Sequence, residues 1–165
     1  MNEIKELSNV ETPDVEIDNL NFYYSDSAYV RFRMIAPKVI IKSKDKVELI
    51  REFPESITLY SFNKKGEKTT ELVADFAIHY IDSNLWLAKE NVICLTNKGL
   101  KLTTEKVYWD MEKKNFYTDV PLMIVDKKNI IYGQGLLADE NFNYIRIQKS
   151  TGKILAPKDE VIRND

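Results

Sequence analysis

Apolar and polar side chains alternate along most of this chain with a period of two. Val30, Phe32 and Met34 alternate with Arg31 and Arg33, and Val47 and Leu49 with Lys46 and Glu48. Leu72, Ala74, Phe76, Ile78 and Tyr80 share one parity, with Glu71, Asp75 and His79 on the other. Successive side chains of a strand point to opposite faces, so this pattern predicts half-buried antiparallel strands. Asn63-Lys64-Lys65-Gly66, Asn97-Lys98-Gly99 and Ser150-Thr151-Gly152 each end one apolar stretch and precede another, as hairpin turns do. Polar clusters at residues 82–84, 112–115 and 126–129 punctuate the chain in the same way. Helical spacing occurs only at residues 1–10, where Ile4, Leu7 and Val10 lie three apart. That stretch is short and uncapped, so it reads as a frayed tail.

A weak repeat runs through the alternation. Met34-Ile35-Ala36-Pro37, Leu72-Val73-Ala74-Asp75, Leu102-Thr103-Thr104-Glu105 and Leu136-Leu137-Ala138-Asp139 read apolar, any, small, then usually acidic. Their starts lie 38, 30 and 34 residues apart. Leu85-Trp86-Leu87-Ala88 and Asn115-Phe116-Tyr117-Thr118 are also offset by 30, and Trp109 falls at the repeat position of His79. Such a period denotes one supersecondary unit stacked several times. Units of short strands give two layers, solenoid-like or jelly-roll, whose inner faces enclose a core or a groove. One domain is expected over residues 13–154, between flexible tails at 1–12 and 155–165.

Composition narrows the chemistry. The 165 residues suit one domain, and 24 basic against 26 acidic residues leave no global positive field for nucleic acid. One cysteine and one histidine exclude an intrachain disulfide, a thiolate metal cage and any site needing two imidazoles. No apolar run approaches the roughly 20 residues of a membrane-spanning helix. Cys94, inside Val92-Ile93-Cys94-Leu95, reads as a small buried hydrophobe.

Three constellations have plain structural readings. Gly133-Gln134-Gly135-Leu136-Leu137-Ala138 resembles a dinucleotide fingerprint, but a turn at residues 139–143 follows it where a phosphate-binding helix would be needed. A bulged hairpin explains it better. His79 and Asp75 share parity four residues apart, yet no nucleophile elbow accompanies them, so His79 reads as a half-exposed strand histidine. Asp75, Glu105, Asp110, Asp119 and Asp139 recur with the repeat without the glycine-rich loops that wrap calcium, which points to strand bends. No cofactor, metal or catalytic residue is therefore expected, and the chain does not read as an enzyme. Lysines at 38, 42, 44 and 46, and at 113, 114, 127 and 128, read as solvated loop faces.

Large apolar side chains are the remaining signal. They fill a core, or they line a groove between two sheets that do not close. Parity assigns Phe32, Met34, Val39, Ile41, Leu59, Leu72, Phe76, Ile78 and Leu102 to the inner faces.

The landmarks Tyr24-Ser25-Asp26, Ala36-Pro37, Phe53-Pro54, Leu72-Val73-Ala74-Asp75, Leu85-Trp86, Asn91-Val92, Leu102-Thr103-Thr104-Glu105, Tyr108-Trp109, Tyr117-Thr118-Asp119 and Gly133-Gln134-Gly135-Leu136 run in order through nearly the whole chain. In order and spacing the chain resembles the LptC family, the periplasmic component of lipopolysaccharide export, in its Bacteroidetes-type form. It departs at Glu55-Ser56, where many relatives carry glycine soon after Phe-Pro. The resemblance implies a twisted β-jelly roll of two antiparallel sheets splayed into a V, with lipid A acyl chains between them. It implies a periplasmic location and an inner-membrane anchor not present in this sequence. It further implies transfer of lipopolysaccharide from the inner-membrane LptB/LptF/LptG complex to an LptA-like bridge protein. The bridge would dock by edge-strand pairing at the terminal strands, around Ile130, Tyr132, Tyr144, Ile145 and Ile147. A structural adaptor that docks sheet edges without binding lipid is the alternative.

Overall fold

Every element among the described residues is a strand. The computed structural model describes residues 14–127 and 129–155. Residues 1–12, with their helical spacing, and all of 155–165 except Leu155 lie outside that range. The strands are β1 (Val15–Asp26), β2 (Tyr29–Lys44), β3 (Val47–Phe53), β4 (Ile57–Phe62), β5 (Lys68–Ala74), β6 (Phe76–Tyr80), β7 (Leu85–Thr96), β8 (Leu100–Asp110), β9 (Asn115–Asp126), β10 (Asn129–Asp139) and β11 (Ile145–Leu155).

All pairings are antiparallel, and most strands take part in two layers. β2 pairs with β4 over residues 32–35 and with β3 over residues 40–44. β7 receives β6 on its first half and β5 on its second. The path β2–β4–β5–β7–β6–β3 thus closes a ring. Beyond it, β8 to β10 each pair along both halves with an interruption between them. The result is an all-β jelly-roll-type stack of bent strands, with β1 at one end and β11 at the other.

The bends follow from reach. Lys98, ahead of β8, hydrogen-bonds the Asn143 side chain, and the Lys114 carbonyl, beyond β8, accepts the Glu140 N–H at 3.3 Å. An extended strand of 11 residues would hold its ends about 35 Å apart. The four residues from 140 to 143 span at most about 14 Å, so β8 must be folded over. Its inward side chains show where. Leu102 and Thr104 are buried on one side of Glu105, and Val107 and Trp109 on the other, so parity changes across the corner.

Polar groups bridge one corner to the next. Glu90 and Asn91 both have positive φ, 67° and 51°, a cost that neighbours must offset. Asn91 Nδ2 donates to Asp75 at 2.6 Å, and its N–H donates to Glu105 at 3.3 Å. Lys106 pairs with Asp119 at 2.8 Å and holds that carboxyl below its usual range. Asp75, Glu105 and Asp119 therefore serve strand bends.

Cross-strand register bears on the repeat. Met34, Leu59, Leu72, Cys94 and Leu102 are successive partners, so the first three copies occupy one column. That column continues through Ile124 to Ile131. The fourth structural copy is therefore Ile131-Tyr132-Gly133-Gln134, and not the segment at Leu136. A corner at Gly135, φ +78°, shifts the register there. Gly133-Gln134-Gly135 accordingly lies within a bulged strand.

Corner parity also corrects two inner-face assignments. Leu72 and Ala74 point inward, but after the bend at Asp75 the inward residues are Ala77 and His79. Phe76 and Ile78 are half-buried on the outer face, where the Lys89 ammonium sits 4.7 Å from the Phe76 ring centroid. Read as one uninterrupted strand, residues 72–80 give the wrong face beyond the corner.

Candidate functional site

An apolar cleft of about 430 Å³ opens between the layers at the β1 end. β1 contributes Ile17, Leu20, Phe22 and Tyr24, and β2 contributes Phe32, Met34, Val39 and Ile41. Phe53, His79, Trp86, Trp109 and Met111 form its depth, with Arg51 and Asn84 as the polar lining. β1 pairs with β2 along nearly its whole length and, among the described residues, with no other strand. Its apolar side chains consequently stay wet: Ile17 is 37% exposed, Phe22 46% and Tyr24 38%. β1 bends with β2, for Asn19, at φ 57°, lies opposite Pro37 and leaves the ladder there. Parity changes across it, which brings Ile17 and Leu20 to the same side.

The inner wall continues as a row of rings. Arg51, His79, Trp86, Trp109 and Phe116 are successive cross-strand partners. His79 stacks on Trp86 at 4.0 Å and 10°, Trp86 lies 6.0 Å from Trp109, and Trp109 lies 5.7 Å from Phe116. From Trp86 inward the space closes. The void among Met34, Ile57, Leu59, Leu72, Trp109 and Phe116 is only about 20 Å³.

His79 corrects the half-exposed expectation, being 8% exposed. Asn84 Oδ1 accepts from its Nε2 at 3.0 Å, leaving Nδ1 as a buried acceptor without a partner. Burial lowers the imidazole pKa to about 4, against a partial upward pull from the Asn84 bond. His79 is therefore neutral at pH 7. Asp75, its supposed partner, points away to Asn91. Cys94 is fully buried, and burial pushes its thiol up to about 12. Among the described residues no three His, Cys, Asp or Glu side chains gather as a metal site.

The loop between β10 and β11 closes the slot further along. Phe142 is buried and stacks 5.4 Å from Phe116. Glu140 accepts from Arg31 of β2 at 2.6 Å and from Trp109 Nε1 of β8 at 3.0 Å, tying the two layers together. Beside this tie lies a second pocket of about 290 Å³, mostly polar, which shares Phe32 with the apolar cleft.

The sequence-predicted groove residues divide accordingly. Phe32, Met34, Val39 and Ile41 line the cleft. Leu59 and Leu72 border the small void, and Leu102, 1% exposed, is core. Phe76 and Ile78 are on the outer face. Missing from that set were the β1 side chains, although Leu20, Phe22 and Tyr24 do alternate. At the other end, Tyr132 and Tyr144 are exposed, whereas Ile145 and Ile147 pack against the core and Ile130 is half-buried. Among the described residues β11 pairs with β10 alone. No helix among the described residues is long and apolar enough to cross a membrane. No family model matches the chain, and no curated protein matches it.

Proposed function

We propose that this domain binds an acyl lipid between its two layers and passes it on, and that the lipid is lipopolysaccharide, as the LptC-like landmarks suggest. The observation that carries the reading is the open apolar cleft of about 430 Å³ beneath β1. Its volume falls within the range of about 300–1,000 Å³ common to ligand pockets. Burying wet side chains such as Phe22 against an acyl chain gains roughly 25 cal/mol per Å² removed from water. In this reading lipid arrives from an LptB/LptF/LptG-like inner-membrane complex in the periplasm and leaves to an LptA-like bridge protein. The bridge would pair with the outer edge of β11, near Tyr132 and Tyr144.

A photocrosslinker at Phe22 or Ile17 is expected to capture lipopolysaccharide, and one at Phe76 or Ile78 on the outer face is not. Equal capture from both faces would sink the conduit reading. A structural adaptor is the second reading, supported by the outer edges of β1 and β11, which pair with no further strand among the described residues. It expects crosslinks to a protein partner from Tyr132 or Tyr144 and none to lipid from Phe22.

A further inference from the structure

We infer that the β10–β11 turn, residues 140–144, is a removable plug, which shuts the slot between the layers at rest and swings out to join the apolar cleft to the far end of the stack. Other turns point their side chains away, and those at residues 44–46, 64–67, 97–99 and 112–114 are exposed throughout. This turn instead sends a carboxylate and a ring inward, with Glu140 7% and Phe142 6% exposed.

Its attachments suit a part that leaves. The turn's own hydrogen bonds gather on Asp139, whose carbonyl accepts from the Phe142 N–H at 2.9 Å and whose carboxylate accepts from the Tyr144 N–H at 2.6 Å. Withdrawing the tip therefore need not unpair β10 from β11. Among the described residues one backbone hydrogen bond crosses to the body, from the Glu140 N–H to the Lys114 carbonyl at 3.3 Å. The other polar links run through side chains: Arg31 and Trp109 to Glu140, Thr69 to Asn141 at 3.4 Å, and Lys98 to Asn143. Phe142 is held at φ 53°, a conformation costly for a bulky L-residue, which offsets part of what burying its ring gains. Beyond the plug lies the polar pocket of about 290 Å³, which Glu140 and Asn141 line and which shares Phe32 with the apolar cleft. Withdrawal of Glu140 and Phe142 would uncover Trp109 and Phe116 and make one passage of cleft, slot and pocket. An occupant that enters beside β1 needs that passage to leave at the β11 end.

The role in transfer rests on the lipid reading, whereas the opening itself does not, and the experiment reads them apart. In Thr69→Cys/Asn141→Cys a disulfide locks the turn, and reduction frees it. The Trp109 indole N–H, which donates to Glu140, reports opening by its exchange with deuterated water. Exchange is expected to be at least roughly tenfold faster in the reduced than in the oxidised protein, with little dependence on urea, as for a local opening. Glu140→Gln keeps an acceptor for Trp109 but loses the charge that Arg31 meets, and should raise the rate roughly tenfold over the wild type. One rate in both redox forms, rising only with global unfolding, would make the turn permanent core and overturn the plug while sparing the lipid reading. Calorimetric titration with n-alkanols of increasing length tests passage, and affinity is expected to stop rising at a shorter chain in the oxidised form than in the reduced one. The same limit in both forms, with lock-sensitive exchange, would overturn the plug's place on the path. Failure of every alkanol to bind would overturn the lipid reading and the passage, but not the opening.

Discussion

Phe22 and Phe116 face the same interior from opposite regions of the stack, yet Phe22 is 46% exposed and Phe116 1%. Around Phe22 the layers stand apart, because β1 has one strand neighbour among the described residues. Around Phe116 they are shut by Trp109 on one side and Phe142 on the other. One repeated bent-strand unit thus yields a mouth where it ends and a core where neighbours and a loop cover it. What separates the regions is coverage, not residue type.

That comparison can be broken by mutation. Phe116→Ala should cost about 3–5 kcal/mol, read as a fall in the urea midpoint, since it opens a cavity in closed packing. A smaller loss would mean that the packed region is looser than its 20 Å³ void indicates. Glu140→Ala should cost about 3 kcal/mol, because it leaves Arg31, with 12% side-chain exposure, without its closest carboxylate. The same change should raise amide exchange in residues 139–144, and unchanged exchange would deny that Glu140 ties the layers.

His79 lies between the two regions and reports on the depth of the mouth. Its folded pKa of about 4 is below the ordinary 6.5, so between those values the unfolded chain binds the extra proton. Stability from the neutral imidazole is fully present above pH 6.5 and is lost as pH falls towards 4, by up to about 3 kcal/mol. His79→Phe should flatten this dependence in melts between pH 7 and 4.5, as compared with the wild type. An identical slope in the variant would place His79 in water. The smallest effect is expected for Phe22→Ala, under about 1 kcal/mol, with apolar-ligand binding reduced all the same. A large stability loss there would make the mouth part of the core.

Local pattern carried much of this architecture. Alternation at Phe32 and Met34, the turn glycines Gly66 and Gly99, and the column through Met34, Leu72 and Leu102 all lie where periodicity placed them, whereas Val30, Val47 and Leu49, which the same alternation assigns to a buried face, are exposed. Residues 72–80 show the limit. Their alternation is unbroken in sequence, yet the bend at Asp75 sends Phe76 outward and His79 inward. The hydrogen bond that anchors that bend comes from Asn91, sixteen positions away, and is invisible to a period-two reading.

The strands, their turns and the repeat were written in the sequence by itself, because hydrophobic period and turn chemistry act over a few residues. The position of the mouth was decided by tertiary structure alone. Phe22 and Phe116 have the same side chain and the same neighbours in sequence, an asparagine before and a tyrosine after. Whether such a ring is covered depends on which strand stacks next to it and on where a loop such as residues 140–144 crosses. Those are long-range contacts, and the free energy of burial is realised only once they form.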